Sequence, residues 1–159
     1  VANLANSMKD AESVLFLGRH VGFPVALEGA LKLKEIAYLH AEGFAAGELK
    51  HGPIALIEEG QPVFVIVPSP RGRDSLHSKV VSNIQEIRAR GAITIVIAEE
   101  GDTAVEDYAN HVIRIPKAPT LMQPLLATVP LQIFAAHVAK SKGYDVDQPR
   151  NLAKSVTVE

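Results

Sequence analysis

A chain of 159 residues that is 47% hydrophobic has material for one domain with a sizeable core, and its net charge of −2 with only 5% aromatic residues leaves neither a basic footprint nor stacking surfaces for nucleic acid. The absence of cysteine excludes disulfides, thiolate metal ligands and cysteine nucleophiles, so any chemistry falls to carboxylate, amine, imidazole or hydroxyl groups. No apolar run approaches the ~20 residues of a membrane span and no signal-like segment opens the chain, so a cytoplasmic protein with small-molecule or protein partners is expected, and Val1 in place of an initiator methionine points to a fragment or a processed chain.

In chain order, residues 1–12 place Leu4 and Met8 one helical turn apart and predict an entry helix. Residues 14–18 (VLFLG) read as a buried parallel strand. The turn at 18–23 (GRHVGF) carries Arg19 and His20 but no Ser or Thr, and its two glycines do not complete a dinucleotide fingerprint, so its phosphate signal is weak. Residues 24–40 predict a helix of four to five turns opened by Pro24, where a missing N–H is no loss. Residues 43–52 form a glycine-punctuated loop containing Glu48, Lys50 and His51, and residues 54–57 a short helical turn. Residues 62–67 (PVFVIV) are the second strand, residues 68–73 a loop, and residues 75–90 a sheet-covering helix with Gly91 as its stop. Residues 92–98 (AITIVIA) and 112–115 give the third and fourth strands, with a loop and partial helix between them. Residues 121–142 predict a long helix in which Pro130 imposes a kink, and residues 143–159 a polar tail draped over the domain. This alternation predicts an α/β fold, a doubly wound three-layer sandwich with a mostly parallel sheet of about four to five strands.

The predicted helix at 24–40 carries one unusual pattern. At 100° per residue, Glu28, Lys32 and Glu35 fall within roughly 60° of one another, bordered on both sides by apolar residues, with Lys34 pointing away. Two readings of the stripe stand side by side. It is a pair of intrahelical ion pairs worth about 0.2–0.5 kcal/mol each, or a carboxylate and an ammonium held on a stiff scaffold for proton transfer. Glu35 lies roughly 16 Å along the helix from the strand-end crevice, so one small ligand cannot touch both. The stripe is therefore expected to face a second domain or subunit, in a composite site of which this chain supplies a part.

Three stretches, ALEGALKLKE at 26–35, AAGELKHGP at 45–53 and DVDQPRNLAKSVTVE at 145–159, resemble the sugar-isomerase (SIS) subdomain at the C-terminus of glucosamine-6-phosphate synthases, the isomerising glutamine:fructose-6-phosphate aminotransferases. Two long motifs and a matching terminus in the right order make the likeness specific. It runs from about residue 14 to the end and is weakest between 69 and 120. The resemblance implies that Glu35 moves a proton between C1 and C2 of the sugar, with Lys32 as its helper and Glu28 orienting one turn earlier. It implies that His51 takes part in opening the sugar ring, reaching across a dimer interface into the neighbour's site, and that Lys154 forms a Schiff base with the fructose 6-phosphate carbonyl. Substrate contacts are implied at Glu28, Lys32 and Ala153. His20, His40, His77, His111 and His137 show no metal-ligand spacing, and neither a metal nor a cofactor is expected.

The implied partners are fructose 6-phosphate and glucosamine 6-phosphate, the preceding SIS copy and glutaminase domain, and a second subunit of a homodimer. The glutaminase's nucleophilic cysteine and the Ser/Thr-rich phosphate loop of the preceding copy have no counterpart here. The expectation is an excised C-terminal subdomain, residues 1–159 forming one SIS domain with 143–159 as its tail, inactive alone. The alternatives are a non-catalytic phosphosugar-binding or dimerisation module, against which the joint presence of Glu35, His51 and Lys154 speaks, and a free-standing isomerase, disfavoured by the missing phosphate loop.

Overall fold

The computed structural model of the chain describes residues 1–71 and 76–152. Five strands, β1 (Ser13–Gly18), β2 (His40–Ala45), β3 (Pro62–Ile66), β4 (Ile93–Glu99) and β5 (His111–Ile115), form one sheet in the order β2-β1-β3-β4-β5. All four pairings are parallel. The strands run as near-continuous apolar segments because both faces are covered, and alternation along each strand feeds two separate cores. Phe16, Phe64, Ile66, Ile95 and Ile97 face one layer. Leu15, Leu17, Val63, Val65 and Val96 face the other.

The first layer holds α1 (Ala2–Ser7), α2 (Gly22–Lys32) and α4 (Gln123–Ser141), and the second holds α3 (Leu76–Arg88). Phe64 is the hinge of the first core, stacked on Phe16 at 4.9 Å and meeting Phe134 edge-on at 4.8 Å. Glycine sets how closely α2 approaches. A Cβ on Gly29 would stand 2.8 Å from both Phe16 and Leu131 side-chain atoms, and one on Gly18 would stand 2.1 Å from the Gly22 carbonyl oxygen.

The structure departs from the sequence expectations at two points. The predicted helix at 24–40 is regular only to Lys32; residues Leu33–Ala37 form a π-helical turn, and Tyr38 closes it in the left-handed conformation at φ 52°. The chain then enters β2, read from sequence as helix end and glycine-punctuated loop. Its HAEGFA sequence carries little apolar alternation, because β2 is a sheet edge against whose Gly43 the α2 backbone packs. The second departure is Thr120–Ser141, which by length and composition suffices to cross a membrane, contrary to the sequence expectation. Its Ala127, Leu131, Phe134, Ala135, Val138 and Ala139 are buried in the first core. The helix continues past Pro130, which cannot donate to the Leu126 carbonyl one turn back. On its outer face Leu121, Leu125, Val129 and Ile133, four residues apart, are 80%, 63%, 50% and 43% exposed.

At Gly18 the obstructing atom is backbone, which cannot swing aside. Gly18→Ala is therefore expected to lower stability by about 2–3 kcal/mol, and an unchanged urea midpoint would contradict this packing.

Candidate functional site

The charged stripe forms as one cluster. Lys32 Nζ donates to Glu35 Oε2 at 2.6 Å and stands 3.4 Å from Glu28 Oε1. All three side chains are about one-quarter to one-third exposed. The Lys32 pKa is raised above its ordinary 10.5, first by the hydrogen bond to Glu35, against partial burial and with help from the Glu28 charge. Lys32 is thus an ammonium at neutral pH, able to donate and to stabilise negative charge but not to act as a base. Glu35 sits in the π turn, an irregularity that recurs at functional sites and that a regular-helix wheel does not anticipate.

Beside Glu35 lies an open groove of about 520 Å³, lined also by Lys34, Tyr38, Leu39, His40, Arg150, Asn151 and Leu152. Its far wall is the C-terminal segment, pinned to the π turn by the Arg150 backbone N–H, which donates to the Tyr38 hydroxyl at 2.8 Å, and by the Arg150 guanidinium, 4.1 Å above the Tyr38 ring. Tyr144 packs on the same ring at 4.9 Å. Ala153 and Lys154 lie outside the described residues. The described tail ends at Leu152, on the rim of this groove.

His51 is not brought to the groove. Helix α2 leaves the C-terminal end of β1 and runs back along the sheet, so Glu35 arrives where β2 begins, at the N-terminal edges of the strands. His51 follows the far end of β2, five residue steps or roughly 16 Å along the strand direction. It sits at the end of a 3-10 turn (Leu49–His51) with its ring 75% exposed and its Nε2 4.0 Å from Glu48. Within one chain the stripe and His51 occupy opposite edges of the sheet.

At the strand-end crevice, where open α/β sheets ordinarily bind ligands, the described residues leave two spaces of very different size. Where the strand order reverses between β1 and β3, about 10 Å³ lies among Val21, Gly22, Ile66, Pro68 and Gln123 on the α2 and α4 face, and about 340 Å³ among Arg19, Gly47, Lys50, Asn83 and Glu86 on the α3 face. At the end of β4 the Glu99 carboxylate, 1% exposed, accepts from Arg71 (3.1 and 3.2 Å), Ser69 Oγ (3.0 Å), Gln123 Nε2 (3.1 Å) and the Ala118 amide (3.4 Å). Burial pushes its pKa up, but donation from Arg71 and then Ser69 and Ala118 outweighs burial and holds the carboxyl below its usual 4.5. Sequence reasoning passed over this residue. Its signal was a carboxylate ending an otherwise apolar strand.

A family model described as SIS domain matches residues 7–141. Over all 159 residues the chain is 89% identical to the glutamine–fructose-6-phosphate aminotransferase (isomerizing) of Corynebacterium diphtheriae, covering 25% of that protein. It is 75% identical over its full length to the Streptomyces coelicolor protein of the same name, covering 26%. Among solved structures, the C-terminal domain of glucosamine-fructose-6-phosphate aminotransferase from Francisella tularensis matches with a TM-score of 0.81 and 41% identity, over 92% of this chain and 40% of that one. The chain spans about a quarter of the length of these curated relatives.

The Glu99 cluster has a defined pH signature. Its depressed pKa means that its stabilisation is full above the usual 4.5 and is lost as pH falls through the lower folded value. Glu99→Gln is expected to lower stability at pH 7 by about 1–3 kcal/mol and to flatten the acid limb of urea unfolding. An acid limb identical to that of the unaltered chain would contradict the assignment.

Proposed function

The chain belongs to the SIS-domain family, and from that premise we propose that it is the C-terminal isomerase unit of a glutamine:fructose-6-phosphate aminotransferase, acting in the conversion of fructose 6-phosphate and glutamine-derived ammonia to glucosamine 6-phosphate. One observation carries the reading: a carboxylate, Glu35, tied to an ammonium, stands on the wall of an open groove whose opposite wall is the C-terminal segment. The named activity of relatives 89% and 75% identical along the whole chain supports it.

The residue types suit the steps. Opening the cyclic sugar calls for a group that takes and gives protons near neutral pH, which an exposed imidazole supplies, and His51 has that role. A lysine amine activates the C2 ketone as an iminium with loss of water, which acidifies the hydrogen on C1. Lys154 has this role. It follows Leu152, the last described residue on the groove rim, by two positions in the sequence. Glu35 then carries the proton between C1 and C2, held in reach by the end of a packed helix. Lys32 keeps Glu35 oriented and offers an ammonium to the sugar hydroxyls; Glu28 holds Lys32 from the turn before, and Glu28, Lys32 and Ala153 contact the substrate. None of these steps calls for a metal or a cofactor.

Because Glu35 and His51 lie at opposite sheet edges, each site in this reading combines the groove of one subunit with His51 of its neighbour in a cytoplasmic homodimer. The preceding SIS copy grips the phosphate and the glutaminase domain supplies ammonia. The exposed apolar residues beside the stripe, Leu27 and Leu31 on α2 and Leu125, Val129 and Ile133 on α4, support coverage of this face by further protein.

In a full-length synthase carrying this segment, Glu35→Gln is expected to slow isomerisation by about 10²–10⁴-fold with no loss of thermal stability. An unaltered rate would remove Glu35 from its role. The chain alone is expected to turn over little substrate, and robust isomerase activity from it would overturn the composite site.

A further inference from the structure

The exposed His51 ring stands on an unusually well-anchored turn. Leu49, two residues before it, is fully buried in the second core, the Ala46 amide donates to the Gly18 carbonyl at 2.9 Å, and the His51 amide donates to the Glu48 carbonyl at 3.0 Å. These contacts fix one side of the turn. The other side is held by a polar chain that reaches from the end of β1 through α3. Arg19 Nε donates to Asn83 Oδ1 at 3.3 Å, and Asn83 Nδ2 donates to Glu86 Oε2 at 3.4 Å. Glu86 Oε1 pairs with Lys50 Nζ at 2.7 Å, and Lys50 is bonded directly to His51.

Asn83 is 4% exposed, so the chain starts from a fixed interior point rather than from a solvated side chain. The Arg19 guanidinium also underlies the turn: a Cβ on Gly47 would lie 3.2 Å from its Nη1. Glu86 is the one residue of the set that touches both the buried amide and the turn. An isolated ion pair with a 65% exposed lysine contributes little stability. What it does contribute is direction. Lys50 is drawn toward α3, while the imidazole of the next residue is 75% exposed.

We propose that Glu86 is a positioning residue for His51: through the Arg19–Asn83–Glu86–Lys50 chain it holds the turn so that the imidazole projects to the neighbouring subunit's sugar. This rests on the ring-opening role of His51 given above. Glu86 touches neither substrate nor reacting atoms, so its loss acts on the rate of turnover and not on substrate affinity.

The test is charge reversal and its repair. In a full-length synthase carrying this segment, Glu86→Lys is expected to lower kcat for isomerisation about 10-fold or more while KM for fructose 6-phosphate stays within about twofold. The exchanged pair, Lys50→Glu with Glu86→Lys, restores the ion pair to the turn but not the acceptor for Asn83 Nδ2, and is expected to recover part of the lost rate. In the present chain, amide hydrogen exchange at residues 49–52 is expected to quicken in Glu86→Lys and to return in part in the exchanged pair. Unchanged exchange overturns the clamp, as does a fall in kcat of which the exchanged pair recovers nothing or one accompanied by an equal rise in KM. His51→Asn in the same synthase separates the two layers. If that variant turns over at the full rate, the ring-opening reading and the positioning role fall together, whatever the exchange shows; if it is slow, Glu86 is judged on its own results.

Discussion

The polarity of a parallel sheet governs everything else in this chain. A helix that follows a strand must return antiparallel to it before the next parallel strand can begin. The return of α2 delivers Glu28, Lys32 and Glu35 toward one edge of the sheet, and the climb of β2 delivers Lys50 and His51 to the other. No side-chain rearrangement closes a gap set by the length of a strand. In the proposed reading, a reaction that uses both a carboxylate from the first edge and an imidazole from the second draws them from two copies, and that division follows from topology rather than from local chemistry.

Two carboxylates show how the fold divides labour. Glu99 ends a buried strand and is surrounded by donors. Glu35 ends a helix at a π turn, has a single ammonium partner and opens on a groove of about 520 Å³. The first is spent inside the structure, and the second is available to something outside it.

Much of this was legible in the residues. The apolar strands at 14–18, 62–67, 92–98 and 112–115 carry period-independent hydrophobicity because both sheet faces are covered, and each appears within a residue or two of its expected span. The charge stripe was legible from spacing alone, since i, i+4 and i+7 survive even when the last turn widens. Edge strand β2 was not, because an edge that packs its glycine against a helix backbone needs neither alternation nor branched residues. Nor were the π turn, the left-handed Tyr38 or the docking of Arg150 on its ring, the last a contact between residues more than a hundred positions apart. Glu99 and the Arg19–Asn83–Glu86–Lys50 chain were hidden because each is assembled from three or more segments. Lys154 and Ala153 were singled out by motif and lie outside the described residues.

The account's central claim is that one catalytic set is divided between two subunits, and mixing two disabled enzymes tests it most directly. Full-length synthase bearing Glu35→Gln and full-length synthase bearing His51→Asn, each inactive alone, are dissociated together and reassociated, and isomerisation is assayed. In the mixed dimers one of the two sites regains both intact groups, so recovery to about a quarter of the unaltered activity is expected for random pairing. Mixed dimers that form and remain as inactive as either parent would contradict the account.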